Sequence, residues 1–229
     1  MKTIIVTGAN GNLGMAVTNE LLDKGYRVIA TVANETGRKD FGANDHLDVQ
    51  AVNLTNEEET SVFVAANIGR YEKIDAAILL VGGFANGHID STTGEEIRKQ
   101  ISLNFDTAYF VTRPLFQHMM DNNSGRIVFI GARPALIASQ GKGLLAYGLS
   151  KSLLFKLAEY LNEESKGKNI SVSVVVPSTI DTSINRKSMP EANPGNWVSP
   201  QQIAQTLEFL VSDKSSALRE TIFKVYNNA

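Results

Sequence analysis

Short runs of apolar, β-branched residues recur along the chain. They alternate with longer stretches in which apolar positions return every three or four residues. The runs are TIIVTG (3–8), RVIATVA (27–33), DVQAVNL (48–54), DAAILLVGG (75–83), GRIVFIG (125–131), ISVSVVVP (170–177) and TIFKVY (221–226). Such nearly unbroken runs suit strands buried on both faces, because neither face meets water. The longer stretches predict helices near 12–24, 56–69, 94–121, 144–167 and 200–212. Strand–helix alternation of this kind predicts an α/β fold, a doubly wound parallel sheet of about seven strands with helices on both faces. The polar stretch 34–47 fits neither pattern, and 178–198 (STIDTSINRKSMPEANPGNWV) is the one long irregular segment. A loop of that length inside a compact unit is usually functional.

Composition narrows the field. The chain has 229 residues, 43% hydrophobic and 20% charged, enough to bury a core and against disorder. A net charge of −2 without basic or acidic blocks argues against nucleic acid as a partner. With no cysteine, disulfide and thiolate chemistry are excluded. No apolar run reaches the roughly 18–20 residues that cross a bilayer. Met1–Val6 enters a strand without a signal-peptide pattern, so a cytoplasmic location and no membrane partner are expected. His46, His88 and His118 lack metal-ligand spacing, and no metal is expected.

The first candidate chemistry is TGANGNLG, which sets Gly8, Gly11 and Gly14 between the first strand and the first helix. A glycine turn there lets backbone approach a pyrophosphate, which the N–H groups at the helix start then face. Asn10, Asn12 and Leu13 complete the turn. The expected fold is therefore of Rossmann type, with residues 1–229 forming one dinucleotide-binding and catalytic domain. An acid at the end of the second strand would hold the ribose of NAD, and a base would hold the 2′-phosphate of NADP. The strand instead ends Ala30-Thr31-Val32-Ala33-Asn34, and Arg38 follows. Thr31 and Arg38 favour NADP(H) over NAD(H).

Tyr147 and Lys151 stand four apart at the start of a helix that follows the fifth strand. Ligands in such sheets bind at the C-terminal ends of the strands. Together with the glycine turn, this pair resembles the short-chain dehydrogenase/reductase family over essentially the whole chain. Asn104 in SLNFDTAYF matches the family's helix asparagine, and PSTIDT (177–182) matches its Pro-Gly-x-x-x-Thr with Ser178 for Gly. The resemblance implies a hydride transfer in which Tyr147 donates the proton. Lys151 would lower the tyrosine's solution pKa of about 10 and hold the nicotinamide ribose. Asn104 would hold a water that links Lys151 to solvent. It also implies cofactor contacts from Asn53, Leu54, Val81, Gly82, Gly83, Pro177, Ile180 and Thr182, with Ile180 acting through its backbone.

The departures from the family pattern are as telling. Leu79-Leu80-Val81-Gly82 replaces Asn-Asn-Ala-Gly, and Asn53 replaces an adenine-side Asp. The catalytic serine position falls on Ala132. Losing a donor to an oxyanion costs about 2.7–4 kcal/mol in comparable sites. The dihydropteridine reductase branch also lacks that serine. The chain is similar to it at VGGFANG (81–87), GARPAL (131–136) and NRKSMPEANPGNW (185–197). This similarity implies a quinonoid dihydropterin or a comparable flat conjugated substrate. Phe84 either stacks on such a ring or plugs the core, and Ala132, Met189 and Trp197 are further candidate lining residues. The alternatives are a carbonyl (keto) reductase or alcohol dehydrogenase of the same family, and a non-catalytic NADP-sensing protein. Helices near 94–121 and 144–167 carry apolar residues on more than one face, so a homodimer or homotetramer is expected.

Overall fold

The computed structural model describes residues 1–228. Seven parallel strands form one sheet in the order β3-β2-β1-β4-β5-β6-β7. They are β1 (Thr3–Thr7), β2 (Arg27–Val32), β3 (Leu47–Ala51), β4 (Ala76–Leu79), β5 (Ser124–Ile130), β6 (Asn169–Pro177) and β7 (Ile222–Val225). The helices are α1 (Asn12–Asp23), α2 (Glu57–Tyr71), α3 (Gly94–Ile101), α4 (Thr107–Asp121), α5 (Arg133–Leu136), α6 (Leu145–Glu164), α7 (Ser183–Ser188) and α8 (Pro200–Val211). The predicted Rossmann-type doubly wound sheet is the observed one. Strand order reverses between β1 and β4, and the crevice at that point is where such sheets bind ligands.

Alternate side chains of each strand feed two separate cores. Ile5, Ile29, Ala77, Ile127 and Phe129 pack with residues of α2, α4 and α6 on one face. Ile4, Val6, Val28, Ala30, Ile78 and Val128 pack with α1 and α8 on the other. All of these are fully buried or within 1% of it, which is why the strand sequences read as continuous apolar runs.

Three elements depart from the sequence expectation. The stretch 75–83 pairs only over Ala76–Leu79. Beyond it the Thr7 hydroxyl accepts from the N–H groups of Leu80 (3.0 Å) and Val81 (3.4 Å), so the chain leaves the ladder with its donors satisfied. The expected helix over 94–121 is two helices joined by a π turn at Ser102–Asp106. The loop 178–198 contains α7 and a 3₁₀ turn at Pro194–Asn196. The ambiguous stretch 34–47 holds a 3₁₀ segment, Glu35–Asp40, started by the Asn34 side chain accepting from Gly37 N–H.

Candidate active site

At the switch point the glycine turn folds over the end of β1. Gly8 has φ +62°, in the left-handed region that glycine alone enters without strain. Gly14 lies in the first turn of α1, where a Cβ would come within 2.2 Å of the Gly8 carbonyl oxygen. The close contact of helix and turn therefore depends on the missing side chain. Gly11 caps α1 without offering a side-chain acceptor, so the first N–H groups of the helix remain available to an anion. Gly8, Asn10, Gly11, Thr31, Asn53, Leu54, Val81 and Gly82 all line one cavity of about 350 Å³. This bare, donor-rich cradle fits a dinucleotide.

Other expected cofactor residues sit around that cavity or outside it. Asn12 and Leu13 are in the first turn of α1, and Leu13 packs against the sheet. Gly83 follows the lining and is bonded to Asn104. Pro177 ends β6, and Ile180 pairs with Val198 while its carbonyl accepts from Asn185 Nδ2 at 2.8 Å. Thr182 caps α7, accepting from Asn185 N–H. Arg38 is not brought into the cavity. It pairs with Glu35 at 3.1 Å and lines clefts along the edge strand β3, because the 3₁₀ segment turns it outward. A carboxylate is tied to the lining instead: Asp40 accepts from Asn10 Nδ2 at 3.0 Å.

Lys151 and Asn104 converge beside Gly82, and Tyr147 stands one helical turn before Lys151 on α6. Lys151 is buried, and its Nζ donates to the Ile130 carbonyl at 2.9 Å. Asn104 is fully buried in the π turn. Its Oδ1 accepts from Gly83 N–H at 2.9 Å, and its Nδ2 lies within reach of Gly83 O (3.1 Å), Gln100 Oε1 (2.9 Å) and Ser150 Oγ (3.0 Å). The π turn widens the helix at this point and aims the amide at the loop after β4. Single π turns of this sort recur at functional sites. A Cβ on Gly82 would lie 2.6 Å from Asn104 Oδ1 and 3.0 Å from Lys151 Nζ, so the bare Cα lets both groups converge there.

A family model for short chain dehydrogenase matches residues 2–193. The chain belongs to the short-chain dehydrogenase family. It is 27% identical over 225 residues to the 3-oxoacyl-[acyl-carrier-protein] reductase of Rickettsia felis, covering 94% of this chain and 91% of that one. It is 28% identical over 228 residues to the acetoacetyl-CoA reductase of an Acinetobacter species, covering 93% and 91%. Among solved structures, ElxO with NADP bound superposes with a TM-score of 0.90 at 20% identity, covering 98% of this chain and 96% of that one. The aldohexose dehydrogenase of Thermoplasma acidophilum superposes at 0.85 with 24% identity, covering 98% and 92%. These last two show the fold. As a family member the chain is an oxidoreductase.

The electrostatics of this short-chain dehydrogenase run opposite to the sequence expectation. Lys151 was to lower the pKa of Tyr147. Burial instead pushes the phenol up to about 12. The same burial pushes the Lys151 ammonium down to about 8. Desolvation disfavours the charged form of each, and Lys151 spends its hydrogen bond on Ile130.

The substrate side has its own geometry. Phe84 is 62% exposed, and its ring meets Tyr147 edge-on at 5.1 Å. Of its two readings, the core plug is thereby excluded. Ala132 is buried at the end of β5, just before α5, and brings no hydroxyl. Neither of the two serines considered from the sequence replaces one. Ser139 is exposed in a 3₁₀ turn, and Ser178 Oγ donates to the Tyr226 carbonyl at 2.9 Å. Arg133 is stacked over the Tyr226 ring at 5.3 Å. Trp197 is buried under the 178–198 loop and Met189 is half-exposed, and neither lines the groove beside Phe84.

Sequence reasoning missed Gln100 and Ser150, the buried polar partners of Asn104. Their spacing was the available sign: Gln100 is one helical turn before Asn104 and Ser150 nearly one after Tyr147. It also missed the groove residues Asn86, His88, Ser91 and Lys142, for which loop sequence offers no periodicity.

Proposed function

We propose that this chain is an NAD(P)H-dependent reductase acting on a flat, electron-poor conjugated compound, of which a quinonoid dihydropterin is the specific case. The observation that carries this reading is the half-buried Tyr147 with the buried Lys151 one helical turn on, near a strand end where Ala132 supplies no second hydroxyl. A ketone reduced in such a site develops an oxyanion with one donor fewer than usual. A conjugated acceptor spreads the arriving charge and needs the second donor less. The exposed Phe84 ring beside Tyr147 supports a flat ligand. The stretch 185–197 supports the pterin case by its similarity to the dihydropteridine reductase branch.

Bound dinucleotide would supply the hydride. The glycine turn and α1 would hold its pyrophosphate, and Lys151 its nicotinamide ribose. With its phenol pushed up to about 12, Tyr147 is neutral at pH 7 and holds the proton that the reduced atom requires. Lys151, at about 8, remains mostly cationic there. Asn104 would position the loop after β4 through its two-point pairing with Gly83. Of the residues that favoured NADP(H), Thr31 lines the cavity, while Arg38 and the adjacent Lys39 do not. Asp40, bonded to Asn10, opposes a 2′-phosphate, and NADH is expected to bind at least as well as NADPH.

A second reading is a keto reductase, favoured by relatives named for 3-oxoacyl and acetoacetyl substrates. Oxidation of NADH and NADPH against quinonoid dihydropterin, ortho-quinones and simple β-keto thioesters separates the two. Faster turnover of the thioesters than of every conjugated acceptor rules out the first reading. The chain is further expected to pair through α4 and α6, and α6 exposes Leu149, Leu153 and Tyr160. No helix among the described residues is long and apolar enough to cross a membrane.

A further inference from the structure

We propose that the groove beside Tyr147 selects a substrate bearing an anionic group (carboxylate, sulfonate or phosphate), with Lys142 as its counter-charge. The inference deepens the reductase reading and rests on it for the chemistry. The groove, about 690 Å³, runs between the loop after β4 and the loop before α6. Two backbone bonds clamp these loops: Gly87 N–H to Gly143 O at 2.8 Å, and Leu145 N–H to Gly87 O at 3.1 Å. Gly143, at φ +75°, turns the chain directly after Lys142. Phe84 stands where the groove meets Tyr147.

The lining is one-signed. It holds the Lys142 ammonium, the His88 imidazole and the neutral Asn86 and Ser91, and no carboxylate. Asp90, in the same loop, does not line it. Lys142 is exposed and takes part in none of the ion pairs among the described residues. A ring placed against Phe84 would reduce the water around that cation and strengthen its attraction for a negative substituent. A long acyl chain finds little here, because Phe84 and Leu144 are the only large apolar side chains of the lining.

The test separates binding from turnover by using inert, matched ligands. Naphthalene-2-carboxylate and naphthalene-2-carboxamide share size and shape and differ in charge. Their Kd values are measured by ligand-observed NMR titration with saturating dinucleotide present. The carboxylate should bind about fivefold more tightly, and the preference should shrink with added salt. Lys142→Met should bring the ratio close to one, and Lys142→Arg should retain it. Lys166→Met, which removes an exposed lysine of the Glu163 pair instead, should also retain it. A wild-type ratio near one, or a ratio unchanged in Lys142→Met, overturns the inference. If the charge preference holds while no conjugated acceptor is reduced, the reductase reading fails and the anion site stands. Repeating the titration with naphthyl phosphate and naphthalene sulfonate tells which anion fits.

Discussion

The two proposed binding regions differ in build: the dinucleotide cleft at the glycine turn and the substrate groove beside Phe84. The cleft is made of backbone and small side chains, held by contacts that tolerate no added atom, such as that of Gly14 with the Gly8 carbonyl. The groove is made of loop side chains, exposed and clamped at only a few points. A cofactor shared by a whole family demands a surface that does not vary, and backbone provides it. Substrate choice demands a surface that can vary without disturbing the fold, and loops provide that. Tyr147 stands half-buried between them, touching the groove through Phe84 and lying one helical turn from the buried Lys151.

The largest effect should come from the residue the two regions share. Tyr147→Phe should lower kcat about 10²- to 10⁴-fold for any acceptor, while dinucleotide Kd changes less than about threefold. Single-turnover kinetics and fluorescence titration of NADH measure the two. A large loss of cofactor affinity with chemistry intact would reassign Tyr147 to the cleft alone.

Next in size is a break confined to the cleft. Gly14→Ala places a Cβ within 2.2 Å of a backbone oxygen, which cannot rotate away. It should destabilise the protein by about 1–3 kcal/mol and weaken dinucleotide binding more than about tenfold. Urea unfolding and NADH titration check both. Full cofactor affinity in this variant would mean that the turn is not the pyrophosphate site.

Lys151 sharpens the comparison through pH. Its folded-state pKa, about 8, lies below the ordinary lysine value of 10.5, so the unfolded chain binds more protons between those values. The penalty for burying the cation is therefore full below about 8 and is relieved as pH rises towards 10.5. Dinucleotide-free protein should gain stability across that window, and Lys151→Met should remove this gain. At pH 7 the same variant should be stabilised by on the order of 1–2 kcal/mol, less than the full shift because Ile130 O loses its donor. Turnover should fall as the cation is lost above about 8. Thermal melts and kcat/KM profiles across that range test the linkage.

The smallest effect is expected at the groove side of Tyr147. Ala132→Ser restores the family hydroxyl, and should change kcat/KM for a quinonoid dihydropterin or ortho-quinone by less than about tenfold. It should help a simple ketone more, since an oxyanion develops there. Equal gains for both acceptors would remove the mechanistic ground for a conjugated substrate.

Much of this was legible in the chain itself. Seven apolar runs became seven strands, because a strand buried on both faces leaves an unbroken apolar trace. The glycine turn and the Tyr147–Lys151 spacing each lie within one turn or one helix, so local geometry was enough to group them. Phe84 could be named but not assigned, since burial or exposure depends on what packs over the loop. Arg38 was drawn to the cofactor by its nearness in sequence, but the Glu35–Asp40 segment turns it to the outer edge of the sheet.

What the sequence by itself determined is the fold type and the local geometry of the glycine turn and the Tyr147–Lys151 spacing, because periodicity and turn chemistry act over a few residues. Only the tertiary structure decided the rest. It inserted the π turn that aims Asn104 at Gly83, and joined residues 84–91 to 142–144 in one groove. It also set the titration of Tyr147 against the expectation, desolvation raising the phenol as it lowers Lys151. Desolvation is a sum over every neighbour, drawn from α3, α6 and the loop after β4 together, and no single segment carries it.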